Sequence, residues 1–354
     1  MTIESSDPPA PLGIAVVGAG YWGPNLVRNF LNSPETDLRW IVDLDEAKAR
    51  RLAGSRSDVR VTTSIEEALD DPDVRGVAIA TPPASHLPLA MKALEAGRHV
   101  LVEKPLATSS TDGETLVAEA ERRGLVLMCD HTFCYTPVVR AIRELVESGK
   151  LGEIHYVDSI RVNLGLVQSD VDVFWDLAPH DLSILDFILP EGVYPTQVSA
   201  HGADPIGVGQ NCVGYLTMPL STGAIAHVAV NWLSPSKIRQ TVVAGSKQMV
   251  VWDDMKPYQR LSVVDCGVEL LAPAVGDEKR QLMVDYRMGD MVIPALTETT
   301  EALAAVVGEF VASIRESRPP LTDGRSGVRI LRVLEAASQS LRAHSALVQI
   351  EEFN

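Results

Sequence analysis

Short apolar runs alternate with amphipathic stretches along the first third of the chain. The runs are typical of buried strands, whereas the stretches between them carry apolar residues at helical spacing, as Leu26 and Phe30 show. Strands and helices that alternate in this way predict a doubly wound parallel sheet between residues 12 and 130. The predicted strands are 14–17, 38–42, 59–61, 74–80, 99–102 and 125–128, and the longer predicted helices are 87–96 and 111–123.

Beyond residue 130 the pattern changes to two-residue alternation, interrupted by turns rich in glycine, proline and serine. This pattern predicts antiparallel strands, so we expect an α+β domain with a large open, mainly antiparallel sheet over residues 131–354. Residues 1–11 have the composition of a disordered tail, and 270–291 that of an irregular surface excursion. The predicted strands are 156–162, 213–218, 224–232, 240–244 and 249–252, and the predicted helices are 138–147, 182–189, 301–316 and 326–341.

Three glycines, Gly18, Gly20 and Gly23, follow the first predicted strand and open the first predicted helix. Such glycines allow a tight turn and a close approach to a pyrophosphate, which the helix N-terminus attracts. The next strand ends at Asp43, whose carboxylate can accept hydrogen bonds from an adenosine ribose. A glycine-rich turn without a ligand is the ordinary alternative. The order of strand, glycines, helix, strand and acid favours an α/β protein with an N-terminal Rossmann domain that binds a nicotinamide or flavin dinucleotide.

Composition and charge exclude several classes of function. The chain has 46% hydrophobic and 22% charged residues, and no apolar run approaches the ~20 residues of a membrane span. A net charge of −16 argues against nucleic acids and anionic membranes as partners. We expect no metal, because the eight histidines form no HxxxH or HxH pattern. The N-terminus lacks a signal-peptide pattern, and we expect the cysteines to be the reduced thiols of a cytoplasmic protein; they are Cys129, Cys134, Cys212 and Cys266.

Lys104 follows a predicted strand and precedes Pro105, on the side of the sheet where the cofactor is expected. One interpretation is an ammonium group held near a substrate hydroxyl, with the proline keeping Lys104 extended. The ordinary alternative is an exposed lysine before a turn-forming proline.

Asp176 and His180 are four residues apart and precede the predicted helix 182–189, so their side chains can lie on one helical face. A carboxylate beside an imidazole fixes its tautomer, which suits a general base that takes the proton of a secondary alcohol. The alternative is an aspartate that caps the helix and a histidine in solvent or in the core. Taken alone, that alternative is favoured.

The whole set of motifs resembles the Gfo/Idh/MocA family of NAD(P)-dependent oxidoreductases, named after glucose–fructose oxidoreductase, inositol dehydrogenase and a rhizopine-catabolism protein. The resemblance extends from about residue 12 to 350, and the order of the motifs is more specific than any one of them. The matching pieces are GAGYWG at 18–23, Asp43, ATPPASH at 80–86, EKP at 103–105, GKLGEI at 149–154, DLAPH at 176–180 and LTDGRSGVRILRVLEAA at 321–337.

The resemblance implies a role for each matching residue. Lys104 would contact both cofactor and substrate, His180 would be the acid or base, and Asp176 would be its partner. Substrate contacts would come from His131, Arg161 and Asn163. The residues implied for cofactor binding are Gly18, Gly20, Tyr21, Trp22, Gly23, Asp43, Thr81, Pro82, His86, Glu103 and Lys104.

The sequence departs from the family pattern near the implied catalytic histidine. Residues 173–175 replace the glycines that many members carry before the aspartate, and Ser183 stands where many have an aspartate. The segment WDLAPHDLSIL at 175–185 is more similar to members of nucleotide-sugar pathways, which act on a ring carbon such as C3. The substrate site is therefore expected to differ from that of inositol dehydrogenase.

The first expectation is an oxidoreductase that moves hydride between NAD and a ring carbinol or ketone of a sugar. The sugar is expected to be linked to a nucleotide, and no metal is expected. NAD is expected rather than NADP, since Asp43 would repel a 2′-phosphate and Leu44 and Asp45 supply no arginine. The alternatives are an inositol, cyclitol or free-sugar dehydrogenase, a relative that retains its cofactor between two half-reactions, and a non-catalytic dinucleotide-binding protein.

Basic residues supply a second reason to expect a nucleotide sugar, since a diphosphate needs cationic partners. They are Arg161, Lys237, Arg239 and Lys256, and the alternative is that they are solvated or pair with acids such as Asp253 and Asp254. A homodimer or homotetramer is also expected, because alternating apolar residues at 226–232 and 242–244 leave a sheet face that needs cover.

Overall fold

The computed structural model describes residues 10–168, 171–270, 284–296 and 300–351. Contacts between Cα atoms divide the chain into two compact units. The first consists of Met1–Tyr135 and Thr299–Leu331, and the second of Thr136–Glu298 and Arg332–Asn354. Residues 1–9 of the expected tail over 1–11 lie outside the described part of the chain.

The first unit is built on a six-stranded sheet in which every neighbouring pair is parallel. This confirms the predicted doubly wound sheet. The strand order is β3-β2-β1-β4-β5-β6, so the direction of winding reverses between β1 and β4, where such folds bind ligands. The strands are β1 Leu12–Val17, β2 Thr36–Val42, β3 Arg60–Thr62, β4 Val74–Ile79, β5 His99–Glu103 and β6 Leu127–Asp130.

Helices connect these strands, and the apolar side chains of the central strands are buried between them. Ile14, Ala15 and Val16 in β1 have no exposed surface, as expected for a strand covered on both faces. The connecting helices are α1 Gly23–Asn32, α2 Glu46–Ala53, α3 Ile65–Leu69, α4 His86–Glu95 and α5 Ser110–Arg123.

The second unit is built on a nine-stranded sheet that is antiparallel except between β7 and β10. This confirms the predicted large, mainly antiparallel sheet. The strand order is β14-β13-β12-β11-β7-β10-β9-β8-β15. The strands are β7 Ile154–Leu164, β8 Gln197–Ala203, β9 Val213–Pro219, β10 Ile225–Asn231, β11 Leu233–Gly245, β12 Met249–Asp253, β13 Leu261–Leu270, β14 Val284–Val292 and β15 Val348–Gln349.

Two helices of this unit pack on each other, α6 Pro137–Glu147, which precedes β7, and α7 Val173–Ile188, which follows it. Helix α7 packs on β10 and β7 and buries Ala226, Val228 and Val230 to 1–2% exposure. The residues at 226–230 that were expected to need a second subunit are therefore covered within the chain, which corrects that part of the argument. Val242 and Ala244, named for the same reason, are in register with Asp158 and Tyr156 and lie on the other face of the sheet. On the opposite face of the sheet, Tyr215, Ile225, Tyr286 and Met288 remain exposed.

Two further differences concern late parts of the chain. Residues 284–292 form strand β14 within the segment expected to be irregular, and residues 271–283 of that segment lie outside the described ranges. Within the described residues, no helix has the length and apolar composition needed to cross a membrane.

The last two helices of the chain are α8 Ala302–Glu316 and α9 Gly324–Arg342. Helix α8 packs on α1, and the ring of its Phe310 lies 2.9 Å from where a Cβ atom of Gly76 in β4 would be. Residues 299–331 therefore group with the first unit, although the sequence-based division assigned everything after residue 130 to the second. Periodicity locates a helix but does not show which sheet it packs on.

Candidate functional site

The glycine turn between β1 and α1 has the shape that a dinucleotide requires. Gly18 adopts φ +105°, and a Cβ atom there would lie 2.5 Å from the carbonyl oxygen of Ala80. At Gly20, by contrast, an added Cβ would meet no heavy atom within 4 Å. The first glycine is therefore required by packing, whereas the second leaves open space beside the N-terminus of α1 where a pyrophosphate fits.

Asp43 lies at the end of β2, and its carboxylate bonds to the backbone of both the glycine turn and the turn that follows β2. Its Oδ2 accepts a hydrogen bond from the Ala19 N–H at 2.6 Å, and its Oδ1 accepts one from the Asp45 N–H at 2.8 Å. Both oxygens keep a further lone pair for a ribose hydroxyl. Leu44 and Tyr21 beside this turn are 94% and 95% exposed, which leaves apolar surface available to a planar ring.

Trp22 connects the glycine turn to the end of strand β6. Its indole Nε1 donates to Oδ2 of Asp130 at 3.3 Å, and the Thr132 hydroxyl donates to Oδ1 of the same carboxylate at 2.8 Å. Asp130 is 1% exposed, and its burial raises the pKa of this carboxyl. Sequence analysis did not select Asp130, although its position, an acid at the carboxyl end of a parallel strand, was a usable signal.

A second carboxyl stands opposite Asp130, because β5 and β6 pair Glu103 with Asp130 in register. Glu103 Oε2 accepts a hydrogen bond from the backbone N–H of Lys104 at 2.8 Å. Burial, and then the negative charge of Asp130, raise the pKa of Glu103 to about 8. The implied catalytic lysine therefore follows a carboxyl that carries a proton at neutral pH.

His131 is buried next to this pair and stays neutral. Its exposure is 2%, and burial, together with the charge of Lys104, lowers its pKa to about 3. Both ring nitrogens are buried without a hydrogen-bond partner among the described residues. The substrate contact implied for His131 stays a prediction. The small exposed surface of its side chain argues against that contact.

We expect Glu103→Gln to stabilise the protein increasingly as the pH rises. The folded-state pKa of about 8 exceeds the usual 4.5, so the wild type loses stability between about pH 4.5 and 8, where only the unfolded chain is ionised. One pKa unit corresponds to 1.36 kcal/mol, so the gain at pH 9 is on the order of 5 kcal/mol. Calorimetric Tm values at pH 5 and pH 9 test this, and an equal effect at both would contradict it.

His86 lies between two turns at the same edge of the sheet and has no exposed surface. Its Nδ1 is 2.8 Å from the Pro105 carbonyl oxygen, and its Nε2 is 2.8 Å from the Thr81 carbonyl oxygen. The ring thus contacts protein backbone on both sides, which assigns it to these turns rather than to direct contact with a cofactor. Thr81 itself is partly exposed, and Pro82 is exposed.

In the second unit, Asp176 and His180 both lie inside α7 rather than before it. The helix begins at Val173, because Asp172 caps it by accepting hydrogen bonds from the N–H groups of Phe174 and Trp175, both at 3.1 Å. The spacing of four residues therefore places Asp176 and His180 on one face of a helix.

The described partner of Asp176 is a tryptophan that sequence analysis did not select. The indole Nε1 of Trp232 donates to Asp176 Oδ2 at 3.0 Å, and Trp232 is 1% exposed. This bond holds the carboxylate to the end of β10. No pattern in the sequence indicates the pairing, because Trp232 is 56 residues further along the chain.

Arg161 is buried in an ion pair, which corrects the role expected from its charge. Its Nε donates to Asp181 Oδ2 at 2.7 Å and its Nη2 to Asp181 Oδ1 at 3.2 Å. The two side chains are 4% and 2% exposed. This charge lies in the interior of the second unit and is not available to a diphosphate, whereas nearby Asn163 is partly exposed and its substrate contact stays a prediction.

The other expected phosphate partners are mostly paired as well. Arg239 forms an ion pair with Asp254 at 3.4 Å, and Lys256 one with Asp253 at 3.5 Å. These are the acids named in the alternative interpretation. The charge argument for a nucleotide sugar is therefore weaker in the structure than in the sequence.

A parallel sheet with a glycine turn at its switch point, an acid at the end of β2 and a lysine at the end of β5 defines a dinucleotide-dependent oxidoreductase. Family models match both halves of the chain: the NAD-binding Rossmann fold of the GFO_IDH_MocA oxidoreductase family over residues 12–131, and the C-terminal domain of GFO/IDH/MocA proteins over residues 139–251. The chain belongs to the Gfo/Idh/MocA family, and its first unit binds NAD.

Three relatives illustrate the range of similarity. UDP-N-acetylglucosamine 3-dehydrogenase of Acidithiobacillus ferrooxidans is 26% identical over 94% of this chain and 97% of that protein. dTDP-3,4-didehydro-2,6-dideoxy-alpha-D-glucose 3-reductase of Saccharopolyspora spinosa is 27% identical over 75% of this chain and 83% of that protein. The structure of GenD2 from gentamicin A biosynthesis in complex with NAD is 27% identical, with a TM-score of 0.80 over 99% of this chain and 100% of that one.

We expect kcat/KM to be higher with NAD than with NADP, because the Asp43 carboxylate would repel a 2′-phosphate. Arg50, in α2, pairs with Glu46 and is exposed, so it is not placed to offset that repulsion. Asp43→Asn should reduce the preference, whereas Glu46→Gln makes the same charge change nearby and should not. A wild-type preference for NADP would contradict the prediction.

Proposed function

We propose that the protein oxidises or reduces a ring carbinol of a sugar with NAD, that the sugar is linked to a nucleotide, and that the reacting carbon is C3. The observation that carries this proposal is the similarity, over most of the chain, to two proteins named for 3-dehydrogenation and 3-reduction of nucleotide sugars. The motif WDLAPHDLSIL at 175–185 supports the same subgroup.

The glycine turn and Asp43 would hold NAD, which would supply the hydride acceptor or donor of the proposed reaction. Lys104 holds the substrate hydroxyl and stabilises negative charge on its oxygen. His180 takes the hydroxyl proton. Its Nδ1 is buried, which leaves Nε2 as the nitrogen that we assign to the proton. Asp176, held by Trp232 on the same face of α7, supplies a negative charge that favours the protonated histidine.

A neutral sugar or cyclitol is a second candidate, because one observation favours it. Three of the basic residues expected to bind a diphosphate already form ion pairs with acids; they are Arg161, Arg239 and Lys256. The positive charge that they can offer a diphosphate is therefore smaller than the sequence indicated. This candidate keeps the fold, the cofactor and the catalytic residues, and changes only what the second unit recognises.

A substrate panel separates the two candidates. Purified protein with NAD is mixed with UDP- and dTDP-sugars, free sugars and inositols, and NADH is followed by its absorbance; reduction is measured with the matching 3-keto sugars and NADH. The proposal expects turnover of a nucleotide sugar, with the product oxidised at C3. Turnover of inositols, with nucleotide sugars neither reacting nor inhibiting, would establish the second candidate instead.

We also propose that the protein is a cytoplasmic homo-oligomer that associates through the face of the nine-stranded sheet opposite α7. The large apolar residues that remain exposed there include Val268, Tyr286 and Met288, at 53%, 71% and 89%. A second copy of this chain would cover this face symmetrically. A cytoplasmic location fits the four free cysteines.

Light scattering at low micromolar concentration should therefore give a dimer or tetramer mass. Val268→Asp combined with Met288→Asp should shift the protein to its monomer mass of 38.3 kDa. Met255→Asp, at an exposed methionine elsewhere, serves as the control and should not. A monomer mass for the wild type would contradict the prediction.

A further inference from the structure

A buried carboxylate lies at the carboxyl end of β6, the edge at which a doubly wound sheet binds its ligand. It belongs to Asp130, which is 1% exposed. Its Oδ2 accepts a hydrogen bond from the Trp22 indole at 3.3 Å, and its Oδ1 accepts one from the Thr132 hydroxyl at 2.8 Å. Because Trp22 belongs to the glycine turn, Asp130 is joined directly to the segment that holds the dinucleotide.

Asp130 carries the negative charge of the pair that it forms with Glu103, its register partner on β5. Burial raises the pKa of the Asp130 carboxyl, but the hydrogen bonds from Thr132 and Trp22 lower it, as does the charge of Lys104. Burial, and then the negative charge of Asp130, raise the pKa of Glu103 to about 8. Two neighbouring buried carboxyl groups do not both ionise readily, so at neutral pH Glu103 keeps its proton and Asp130 is ionised.

The other groups beside Asp130 leave its charge opposed by that of Lys104. Burial lowers the pKa of His131 to about 3, so this ring is neutral. Burial raises the pKa of the Cys129 thiol, which is therefore neutral as well. A ligand that brings a further positive charge to this edge of the sheet is thus attracted by Asp130 and repelled by Lys104.

The oxidised and reduced forms of the cofactor differ in such a charge, since the nicotinamide ring is cationic in NAD and neutral in NADH. We propose that Asp130 sets the preference of the protein between these two forms, its carboxylate offsetting the repulsion between Lys104 and the cationic ring. Asp130 thereby favours NAD, whereas Lys104 alone would favour NADH. This role depends on cofactor binding and not on the identity of the substrate.

Asp130→Asn removes the charge and keeps both hydrogen bonds, since the amide oxygen can accept from Trp22 while the amide nitrogen donates to the Thr132 hydroxyl. We expect the Kd of NAD to rise about 10-fold and that of NADH to stay within about 2-fold, the effect of one charge acting over several ångströms in a protein. Calorimetric titration of the full chain with each cofactor, without substrate, measures both constants. Glu67→Gln, at an exposed acid of α3, is the control and should change neither.

The wild type supplies a second test that leaves Asp130 unchanged. Glu103 loses its proton between about pH 7 and 9 and adds a second negative charge, so the Kd of NADH divided by the Kd of NAD should rise several-fold over that range. In Glu103→Gln, which has no proton to lose there, this ratio should stay constant.

Equal losses of affinity for the two cofactors in Asp130→Asn would make Asp130 a structural residue and overturn the proposal, as would unchanged Kd values. If Asp130→Asn does not fold, the pH dependence decides. A wild-type ratio that does not change with pH overturns the proposal, and a rise that Glu103→Gln abolishes supports it. Because no substrate is present in these titrations, failure of the proposed sugar reaction would leave their outcome unaffected.

Discussion

Lys104→Ala and His180→Ala should each lower kcat by about 10²–10⁴, the usual contribution of a positioned acid or base. Lys104 follows Glu103, whose raised pKa of about 8 keeps a negative charge away from the lysine at neutral pH. His180 shares a helical face with Asp176, which Trp232 holds in place. The NAD affinity should change much less, because the glycine turn and Asp43 are untouched.

Steady-state kcat and a separate NAD titration measure the two effects. Lys92→Ala and His201→Ala are suitable controls: Lys92 pairs with Glu66 on the surface, and His201 is exposed on β8. Both controls should keep wild-type kcat. Near wild-type kcat in Lys104→Ala or in His180→Ala would remove that residue from the chemistry.

Asp181→Ala should destabilise the second unit by about 3–5 kcal/mol, because it leaves the buried Arg161 guanidinium without its counter-charge. The ion pair is almost fully enclosed, and the Ser159 hydroxyl also donates to Asp181 at 2.7 Å. Asp254→Ala is the matched control, since the partly exposed pair that it breaks should contribute less than about 1 kcal/mol.

Chemical unfolding of the variants measures these differences. The double variant Arg161→Met with Asp181→Leu should recover most of the stability, since two apolar residues can replace a buried ion pair. Little loss in Asp181→Ala would contradict the prediction. Arg161→Ala should behave like Asp181→Ala, so a loss of activity in that variant would report unfolding of the site and not a lost phosphate contact.

The part of the site that could be predicted from sequence is the part made by one local pattern. Gly18, Gly20 and Asp43 are identifiable because strand ends, turn and helix start follow one another within 26 residues, and their chemistry depends on backbone geometry that glycine alone allows. Lys104 was identifiable for a similar reason, since it stands at the end of a strand before a proline.

The start of α7 was predicted wrongly because of one residue. Pro179 lies inside the helix, and a proline normally stops or begins a helix because it lacks an N–H group. The true cap is Asp172, seven residues earlier, and the intervening apolar residues Val173 and Phe174 bury against the second unit. Burial outweighed the local cost of the proline.

Arg161 shows a second limit of the sequence. A positive charge on a strand has the same sequence signature whether it faces solvent or a buried acid, and Asp181 is 20 residues away in another element. The same holds for Asp130 and Trp232, whose partners are set by the packing of distant segments. Such pairings follow from the tertiary structure and could not be derived from spacing.

The return of residues 299–331 to the first unit has a consequence for synthesis of the protein. The six strands of the parallel sheet leave the ribosome well before Val306, Val307 and Phe310, which fill the core beside α1 and Gly76. Nascent chains must therefore keep that apolar surface uncovered while strands β7 to β14 are translated. In genetic terms the two units are interleaved, because the second unit also contains Arg332–Asn354, and a gene fragment ending at residue 135 encodes an incomplete domain.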